Sequence, residues 1–345
     1  GINDMVHFDV QPGTYTEQIV IPYIDGTSDV NTITFQSQDL DSTSVVVSFT
    51  GDAGSNYVLS VDNAQFVYFR NMTFENTDPN NGTVIELLPV NDQIYFYSCI
   101  FSSSSTIDDL VIRYQFGLGH DSFARFDNCE FSGGNTGIDA SEINRIVLVD
   151  NIFHDQYASA IKLGSIGENI IVRNRITATS ASYRGAVNIS NAVYEDTSPG
   201  YVIFRANRLS VPGYNQTNAV GLGSILSDGA VQKSKIENNF IHVDVMADSC
   251  AAIAIFDSQH INVYHNSINM TGNDFPSTAF SVSRSSHIDY KNNIFANPAG
   301  YVALLIDDIT NNITGDYNLL YTTGDSIGVY GDSYSTTLAD WQTLT

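Results

Sequence analysis

The positive charges of this chain are concentrated in one stretch. Residues 162–208 hold six Lys and Arg residues and three acidic ones, whereas the whole chain has 14 Lys and Arg against 38 Asp and Glu, a net charge of −24. Elimination across a uronic acid needs a cation that neutralises the carboxylate, a base and a proton donor for the leaving oxygen. We predict as catalytic candidates the side chains in and near this stretch that have those chemistries. They are Lys162, Arg184, Tyr183 and His154.

Two arginines of the same stretch, Arg175 and Arg208, each directly follow an asparagine that recurs along the chain. If these asparagines are equivalent, the two guanidinium groups stack on one outward face, where they can bind a carboxylate or sulfate bidentately. The alternative is that Glu130, Glu195 or Asp196 neutralises them, or that water solvates them. Nearby tyrosines and acids complete the predicted substrate-binding set. That set is Arg175, Arg208, Tyr157, Tyr194, Glu195, Asp196 and Tyr214.

The elements that must position these residues repeat every 22 to 33 positions, about 27 on average. Ten segments end in an apolar residue that lies two places after a small, semi-polar one. The semi-polar residues are Met72, Cys99, Cys129, Asn151, Asn174, Asn207, Asn239, Asn266, Asn293 and Asn318. In nine of the ten segments the residue three places before the semi-polar one is apolar as well. Such a period is typical of proteins built from stacked repeats.

The repeat unit has the composition of strands and turns. Its segments are rich in Phe, Ile, Val and Tyr, are bounded by Gly, Asn, Asp and Ser, and show no long apolar face of helical period. A propeller blade needs about 40–45 residues, whereas a shorter unit holds three short strands, which is one coil of a parallel β-helix. We therefore predict an all-β fold, a single-stranded right-handed parallel β-helix (a solenoid) of about ten or more coils.

The semi-polar position is asparagine in seven successive segments, from Asn151 to Asn318. Equivalent residues of successive coils stack at about 4.8 Å, so inward asparagine side chains can hydrogen-bond to one another. Asparagine also tolerates the left-handed backbone of a tight bend, which gives a second reason for its recurrence. We predict an internal asparagine ladder, continued by Cys99 and Cys129 as buried, free thiols.

Segments such as VLVDNIF, VYHNSINM and YKNNIFANP resemble the right-handed parallel β-helix, pectin-lyase-like superfamily. The ending TLADWQTLT resembles the terminal segment of secreted β-helix proteins of Bacteroidetes-type bacteria. The resemblance covers nearly the whole chain and implies its fold and a secreted or cell-surface bacterial location, without matching a specific enzyme family.

One local resemblance concerns chemistry. Lys162 and Arg184 resemble the Lys/Arg pair of a β-helix lyase family that includes chondroitin- and alginate-cleaving enzymes. That family has acidic Ca²⁺ ligands just before its lysine. Here Asp155 is present, but Tyr157 stands where a second carboxylate would be. The sequence therefore leaves Ca²⁺ open as a cofactor and requires none.

We expect one β-helix domain over residues 1–345, with a cap and first coils in 1–65, repeat coils in 66–320 and a closing segment in 321–345. The acidic, lysine-poor composition argues against nucleic acid as a partner. No apolar run reaches the length of a membrane span. The sequence has no coiled-coil heptads that would indicate a fibre, and we expect a monomer.

Two functions are compatible with these observations. The first is a secreted polysaccharide-active enzyme, a lyase or a hydrolase of acidic glycans. The second is a non-catalytic glycan-binding or structural module of a larger cell-surface protein. A polysaccharide is the expected partner in both, since tyrosine faces can contact sugar rings. Because a fold does not determine a function, the sequence leaves open whether the chain is an enzyme.

Overall fold

The computed structural model describes residues 1–88, 91–105, 112–114, 122–141, 144–164, 167–178, 185–190, 200–213, 217–227, 232–246, 249–272, 276–307 and 311–344. The chain forms two compact units, unit 1 with residues 1–165 and unit 2 with residues 166–345. The expected single domain over the whole chain stays a prediction.

Unit 1 is built from short strands. They are β1 (Val6–Val10), β2 (Gly13–Thr16), β3 (Ile19–Ile21), β4 (Ile33–Ser37), β5 (Val45–Phe49), β6 (Leu59–Val61), β7 (Gln65–Arg70), β8 (Thr73–Asn76), β9 (Ile85–Leu87), β10 (Asp92–Tyr97), β11 (Ile100–Ser103), β12 (Ile112–Tyr114), β13 (Phe123–Asp127), β14 (Glu130–Gly133), β15 (Thr136–Ser141), β16 (Arg145–Val149), β17 (Ile152–His154) and β18 (Ser159–Gly164). Each strand pairs in parallel with the strand three places on, which gives a first sheet β1-β4-β7-β10-β13-β16, a second sheet β2-β5-β8-β11-β14-β17 and a third sheet β3-β6-β9-β12-β15-β18. Three strands make one coil, and the described part of unit 1 contains six coils.

Unit 2 repeats this plan. Its strands are β19 (Glu168–Val172), β20 (Arg175–Thr177), β21 (Val187–Ser190), β22 (Tyr201–Arg205), β23 (Arg208–Gly213), β24 (Asn218–Gly223), β25 (Ser234–Glu237), β26 (Phe240–Val245), β27 (Cys250–Phe256), β28 (Gln259–Tyr264), β29 (Ser267–Gly272), β30 (Ser277–Ser283), β31 (Ser286–Lys291), β32 (Ile294–Asn297), β33 (Val302–Ile306), β34 (Asn311–Asp316), β35 (Leu319–Thr322), β36 (Gly328–Tyr330) and β37 (Ser333–Ser335). The first sheet is β19-β22-β25-β28-β31-β34, the second β20-β23-β26-β29-β32-β35 and the third β21-β24-β27-β30-β33-β36, with β37 antiparallel to β36. Its described residues also form six coils. Each unit is thus a right-handed parallel β-helix, which confirms the predicted fold class.

Alternation along each strand separates the core from the surface. On β7, Val67 and Phe69 are buried, whereas Tyr68 and Arg70 point outward. Register then aligns Phe69 with Phe96 on the next coil, and their rings stack with centroids 5.1 Å apart. The predicted apolar columns are therefore the core, because in-register stacking buries every inward ring against its equivalents.

The asparagine ladder is present in unit 2. The Nδ2 group of Asn207 donates to Oδ1 of Asn239 at 3.1 Å, and Nδ2 of Asn239 donates to Oδ1 of Asn266 at 2.9 Å. The same bond joins Asn266 to Asn293 at 3.0 Å and Asn293 to Asn318 at 2.9 Å. Each ladder oxygen also accepts a backbone N–H of the preceding coil, as at 2.9 Å from the Asn207 amide to Asn239. The predicted ladder is confirmed.

The second reason given for the asparagine column was wrong. The ladder asparagines do not adopt the left-handed backbone; the residue directly before each of them does, with φ between 55° and 58°. Arg173, Ala206 and His265 occupy this position as well as asparagines. The column is therefore selected by its side-chain hydrogen bonds, and the bend itself is tolerant of residue type.

Cysteine replaces asparagine in the corresponding column of unit 1. Cys99 and Cys129 are buried and free, as predicted. Burial raises the pKa of the Cys129 thiol well above its ordinary value, so the thiol stays neutral. These cysteines act as small core residues.

Unit 2 ends with a strand pair and a short helix, and the closing role predicted for residues 321–345 stays a prediction. Strand β37 turns back onto β36, and helix α1 (Leu338–Leu344) follows. The Thr337 hydroxyl accepts the Asp340 amide at 3.1 Å, and the Asp340 carboxylate accepts the Thr337 amide at 3.1 Å, a reciprocal N-terminal cap. Trp341 is buried with its ring against the backbone of Gly328. No helix among the described residues is long and apolar enough to cross a membrane.

Candidate functional site

Lys162 lies on β18 and is paired with an acid. In the third sheet of unit 1 it is in register with Asp139 on β15, and Nζ lies 3.0 Å from Asp139 Oδ2. The lysine side chain is 61% exposed and the aspartate side chain 22%. The ammonium group donates to the carboxylate and is engaged by it, so the lysine already has a partner within the protein. The geometry therefore favours a surface ion pair, while the catalytic role of Lys162 stays a prediction.

His154 lies between two carboxylates on the second sheet of unit 1. Its Nδ1 is 2.6 Å from Asp155 Oδ2, and its Nε2 is 3.0 Å from Glu130 Oε1. Partial burial lowers the pKa of His154, but the hydrogen bonds to Asp155 and Glu130 outweigh it and hold the pKa above its ordinary value. Each ring nitrogen faces a carboxylate oxygen, so in the protonated form both nitrogens donate and neither has a lone pair for a substrate proton.

Six other predicted residues lie outside the described residues. They are Tyr183, Arg184, Tyr194, Glu195, Asp196 and Tyr214. The predicted pairing of Lys162 with Arg184 is therefore not tested. Tyr157 is described; its side chain lies at the surface of unit 1, 36% exposed, and its amide donates to the Gly134 carbonyl at 2.9 Å.

The predicted arginine pair occupies one outward face of unit 2. Arg175 is the first residue of β20 and Arg208 the first of β23, and the two are register partners on neighbouring strands. Both are exposed. The Arg208 guanidinium carbon lies 5.7 Å from the ring centroid of Phe240, the next residue of the same column. The predicted stacking of Arg175 and Arg208 on one face is confirmed.

Neither arginine of this pair forms an ion pair with an acid in the described part of the chain. Glu130, one proposed neutralising residue, is hydrogen-bonded to His154 in unit 1, and the other two lie outside the described residues. By contrast, Arg205 at the end of β22 lies 3.6 Å from Glu237. The adjacent first sheet thus offers its arginine a carboxylate, and the second sheet does not.

The face around the pair has an unusual composition for this chain. We define the basic face as the first two outward positions of each strand of the second sheet in unit 2. Its residues are Arg175, Thr177, Arg208, Ser210, Phe240, His242, Ser267, Asn269, Ile294, Ala296, Leu319 and Tyr321. None of these twelve residues is acidic, and the nearest carboxylate on these strands is Asp244, one outward position further along β26.

Beyond Arg208 the basic face exposes several apolar side chains. Phe240 is 48% exposed, Ile294 44%, Leu319 54% and Tyr321 51%. These four residues were absent from the sequence prediction, although a signal existed. Phe240, Ile294 and Leu319 directly follow a ladder asparagine, as Arg175 and Arg208 do. Tyr321 occupies the next outward position, three places after Asn318.

No cluster of three or more His, Cys, Asp or Glu residues in the described regions could hold a metal ion. A role for Ca²⁺ stays a prediction.

The fold is shared with known proteins. The crystal structure of PfbA, a surface adhesin of Streptococcus pneumoniae, is similar with a TM-score of 0.56 and 14% identity, over 94% of this chain and 85% of that one. A pectin methylesterase from Yersinia enterocolitica is similar with a TM-score of 0.39 and 12% identity, over 83% of this chain and 86% of that one. No protein-family model and no curated protein sequence matches the chain. At such identities, the likeness to the adhesin establishes a common β-helix fold and no more.

Proposed function

We propose that this chain is a glycan-binding β-helix module that recognises an acidic polysaccharide on the basic face of unit 2. The observation that carries the proposal is the pair Arg175 and Arg208, in register, exposed and without a carboxylate partner in the described part of the chain. In a protein of net charge −24, an arginine pair that forms no ion pair with any described acid is available to an external anion.

The spacing of the two arginines suits a chain of acidic sugars. Neighbouring strands lie about 4.8 Å apart, so the two guanidinium groups are offered at intervals comparable with the length of one sugar unit. Each group can donate two parallel N–H bonds to a carboxylate or sulfate. A linear polysaccharide with one acid per sugar could therefore engage both arginines at once.

Aromatic residues on the same face supply the second element of sugar recognition. The ring of Phe240 lies beside Arg208, and Tyr321 and His242 lie on the neighbouring outward column. Aromatic rings can pack against the apolar face of a sugar, while a tyrosine hydroxyl can hydrogen-bond to its hydroxyl groups. The combination of guanidinium and aromatic groups supports a glycan as the ligand.

A lyase or hydrolase activity is the alternative function, and the described geometry gives it less support. Lys162 is ion-paired, and both nitrogens of His154 face carboxylates. Binding on the basic face requires neither residue. The name of the pneumococcal β-helix protein, a surface adhesin, is consistent with a binding role at a cell surface. We accordingly propose a secreted or cell-surface location.

The experiment is a binding and turnover panel on the folded protein. Pectate, alginate, chondroitin sulfate and ulvan would be tested by affinity electrophoresis, while unsaturated uronate and new reducing ends are followed in the same samples. We expect retardation by at least one acidic polysaccharide without product. Arg175→Ala combined with Arg208→Ala should weaken this binding about tenfold or more, because charge-assisted hydrogen bonds are lost.

The matched control is Arg284→Ala. Arg284 is also an exposed arginine of unit 2, but it already forms two hydrogen bonds of 2.7 Å to Asp257. The Arg284→Ala variant should therefore bind acidic polysaccharide as tightly as the unmodified protein. Equal weakening by both variants would show a general charge effect and would contradict a site on the basic face. Formation of unsaturated uronate or new reducing ends would show that the chain is an enzyme and would contradict the proposed binding module.

A further inference from the structure

A concave surface lies at the other end of unit 2, away from Arg175 and Arg208. It is a pocket of about 630 Å³ between the turn at Pro298–Tyr301 and the segment Thr323–Ser326, with Tyr334 of β37 at its edge. Pockets of roughly 300–1,000 Å³ accommodate small ligands.

Internal hydrogen bonds fix the walls of this pocket. The Thr322 hydroxyl donates to the Tyr301 carbonyl at 3.1 Å, and the Thr323 hydroxyl donates to the Pro298 carbonyl at 3.0 Å. Beneath the turn, buried Asn297 donates to the carbonyls of Ser277 and Val302 at 2.7 and 3.0 Å. The main chain is thus held in place before any ligand arrives, and binding need not order it.

The pocket retains polar groups that the fold does not use. The pKa of Tyr301 is raised, chiefly by the neighbouring Tyr334 hydroxyl, and Tyr334 is 61% exposed. The Asp325 carboxylate forms no hydrogen bond or ion pair with any residue that the structure describes. A carboxylate beside two phenol rings combines an acceptor for two hydroxyl groups with surfaces for a sugar ring.

We infer that this pocket binds a neutral saccharide, with adjacent hydroxyl groups of one sugar donating to Asp325 and the ring packing against Tyr334. Asp325 is the only charged residue among the described residues that line the pocket, so its carboxylate would repel an acidic sugar. This site is distinct from the basic face in place and in charge. The chain would therefore carry two saccharide sites of opposite preference.

The test is titration calorimetry of the whole chain with glucose, galactose, mannose, N-acetylglucosamine and their disaccharides. We expect at least one of these to bind. Asp325→Asn keeps the side-chain size but removes the charge and should weaken binding about tenfold, since hydrogen bonds to charged groups are the stronger ones. Tyr334→Ala should weaken it by a comparable factor.

Asp332→Asn is the matched control, because Asp332 is an exposed aspartate of the same closing segment that does not line the pocket. Fluorescence of Trp341, the one tryptophan, checks that the closing segment is folded. If Tyr334→Ala fails this check, Tyr301→Phe removes one hydroxyl at constant shape. Both pocket variants should retain acidic-polysaccharide binding, and Arg175→Ala with Arg208→Ala should retain neutral-sugar binding.

Three outcomes would overturn the inference. The first is that no neutral saccharide of the set binds the unmodified protein. The second is that Asp325→Asn and a folded tyrosine variant bind as tightly as the unmodified protein. The third is that the pocket takes Ca²⁺ alone, seen as calcium binding that Asp325→Asn abolishes. If the basic face does not bind acidic polysaccharide, these three measurements on the pocket can still be made and interpreted.

Discussion

The second sheet carries opposite chemistry in the two units. In unit 1 its outward positions include Glu75 and Glu130, and its one cationic residue, His154, is held between Glu130 and Asp155. In unit 2 the equivalent positions form the basic face, where Arg175 forms no ion pair with any acid that the structure describes. Both units have coils of three strands that pair in parallel with the equivalent strands of the next coil. A coil therefore constrains its inward residues and leaves the outward ones free to specify function.

The inward column of this corner also differs between the units. Unit 2 has asparagine in every coil, with side chains that bond to one another, whereas unit 1 has Cys99 and Cys129 before Asn151. The Cys129 sulfur makes only weak contacts, at 3.4 and 3.5 Å, to two carbonyl oxygens. The ladder should accordingly contribute more to stability in unit 2.

The largest effect is expected from removing one rung of the ladder. Asn239→Ala would leave the amide and side-chain N–H groups of Asn207 and the Phe204 carbonyl without their partner. Each buried polar group left unsatisfied costs about 1–3 kcal/mol, so the free energy of unfolding should fall by about 3 kcal/mol or more. Cys129→Ala removes one sulfur atom and should cost about 1 kcal/mol.

Urea denaturation followed by far-ultraviolet circular dichroism measures both variants, with Trp341 fluorescence reporting the end of unit 2. Two reporters are needed because stacked repeats can unfold in parts. Equal destabilisation by the two substitutions would mean that the asparagine ladder stabilises no more than cysteine packing does.

The next effect concerns the outward face. Arg208→Glu gives the second sheet of unit 2 an acid where β14 of unit 1 has Glu130 in the same column position. Binding of acidic polysaccharide should fall more than tenfold, since attraction becomes repulsion next to Arg175. The loss should shrink as salt is raised, because exposed charges are screened. Affinity measured at low and at high salt checks this, and a salt-independent loss would point to altered packing around Phe240.

The sequence predicted the interior of the coils better than the surface. Phe69, Phe96 and Phe126 recur because every coil must bury the same inward position, so a period of about 27 residues reveals them. Arg175 and Arg208 were found since they follow ladder asparagines directly. The sequence analysis placed the backbone bend at the ladder asparagine, one residue too late. The left-handed residue directly precedes the asparagine, so the two positions recur together.

The sequence did not predict which side chains of neighbouring coils form ion pairs. Lys162 meets Asp139 only because β15 and β18 are in register across 23 residues of chain whose turns vary in length. The exposed apolar residues of the basic face were also missed. Ile294 and Leu319 are apolar residues of the kind that fill the core. They are exposed because side chains alternate along a strand and these two occupy outward positions.

The ion pairs of His154 predict a small pH dependence in unit 1. Because the folded-state pKa of His154 is raised, its contribution is fully present below the unfolded-state pKa and is lost as the pH rises through the folded-state pKa. The pair is partly exposed, so the difference between about pH 5.5 and about pH 8.5 should stay below about 1 kcal/mol. In thermal unfolding, the His154→Gln variant should not show this extra stability at low pH. An identical pH dependence in both proteins would mean that other groups cause it.

The smallest effect is expected at Lys162, and it separates the two functions. Its ion pair with Asp139 is exposed, so Lys162→Ala should change the free energy of unfolding by no more than about 1 kcal/mol. Lys291 is the control, since its Nζ also lies 3.0 Å from an acid, Asp289, on the surface of unit 2. If the chain is a binding module, neither Lys162→Ala nor Lys291→Ala alters its interaction with acidic polysaccharide beyond the loss of one positive charge. If the chain is a lyase, Lys162→Ala alone abolishes unsaturated product.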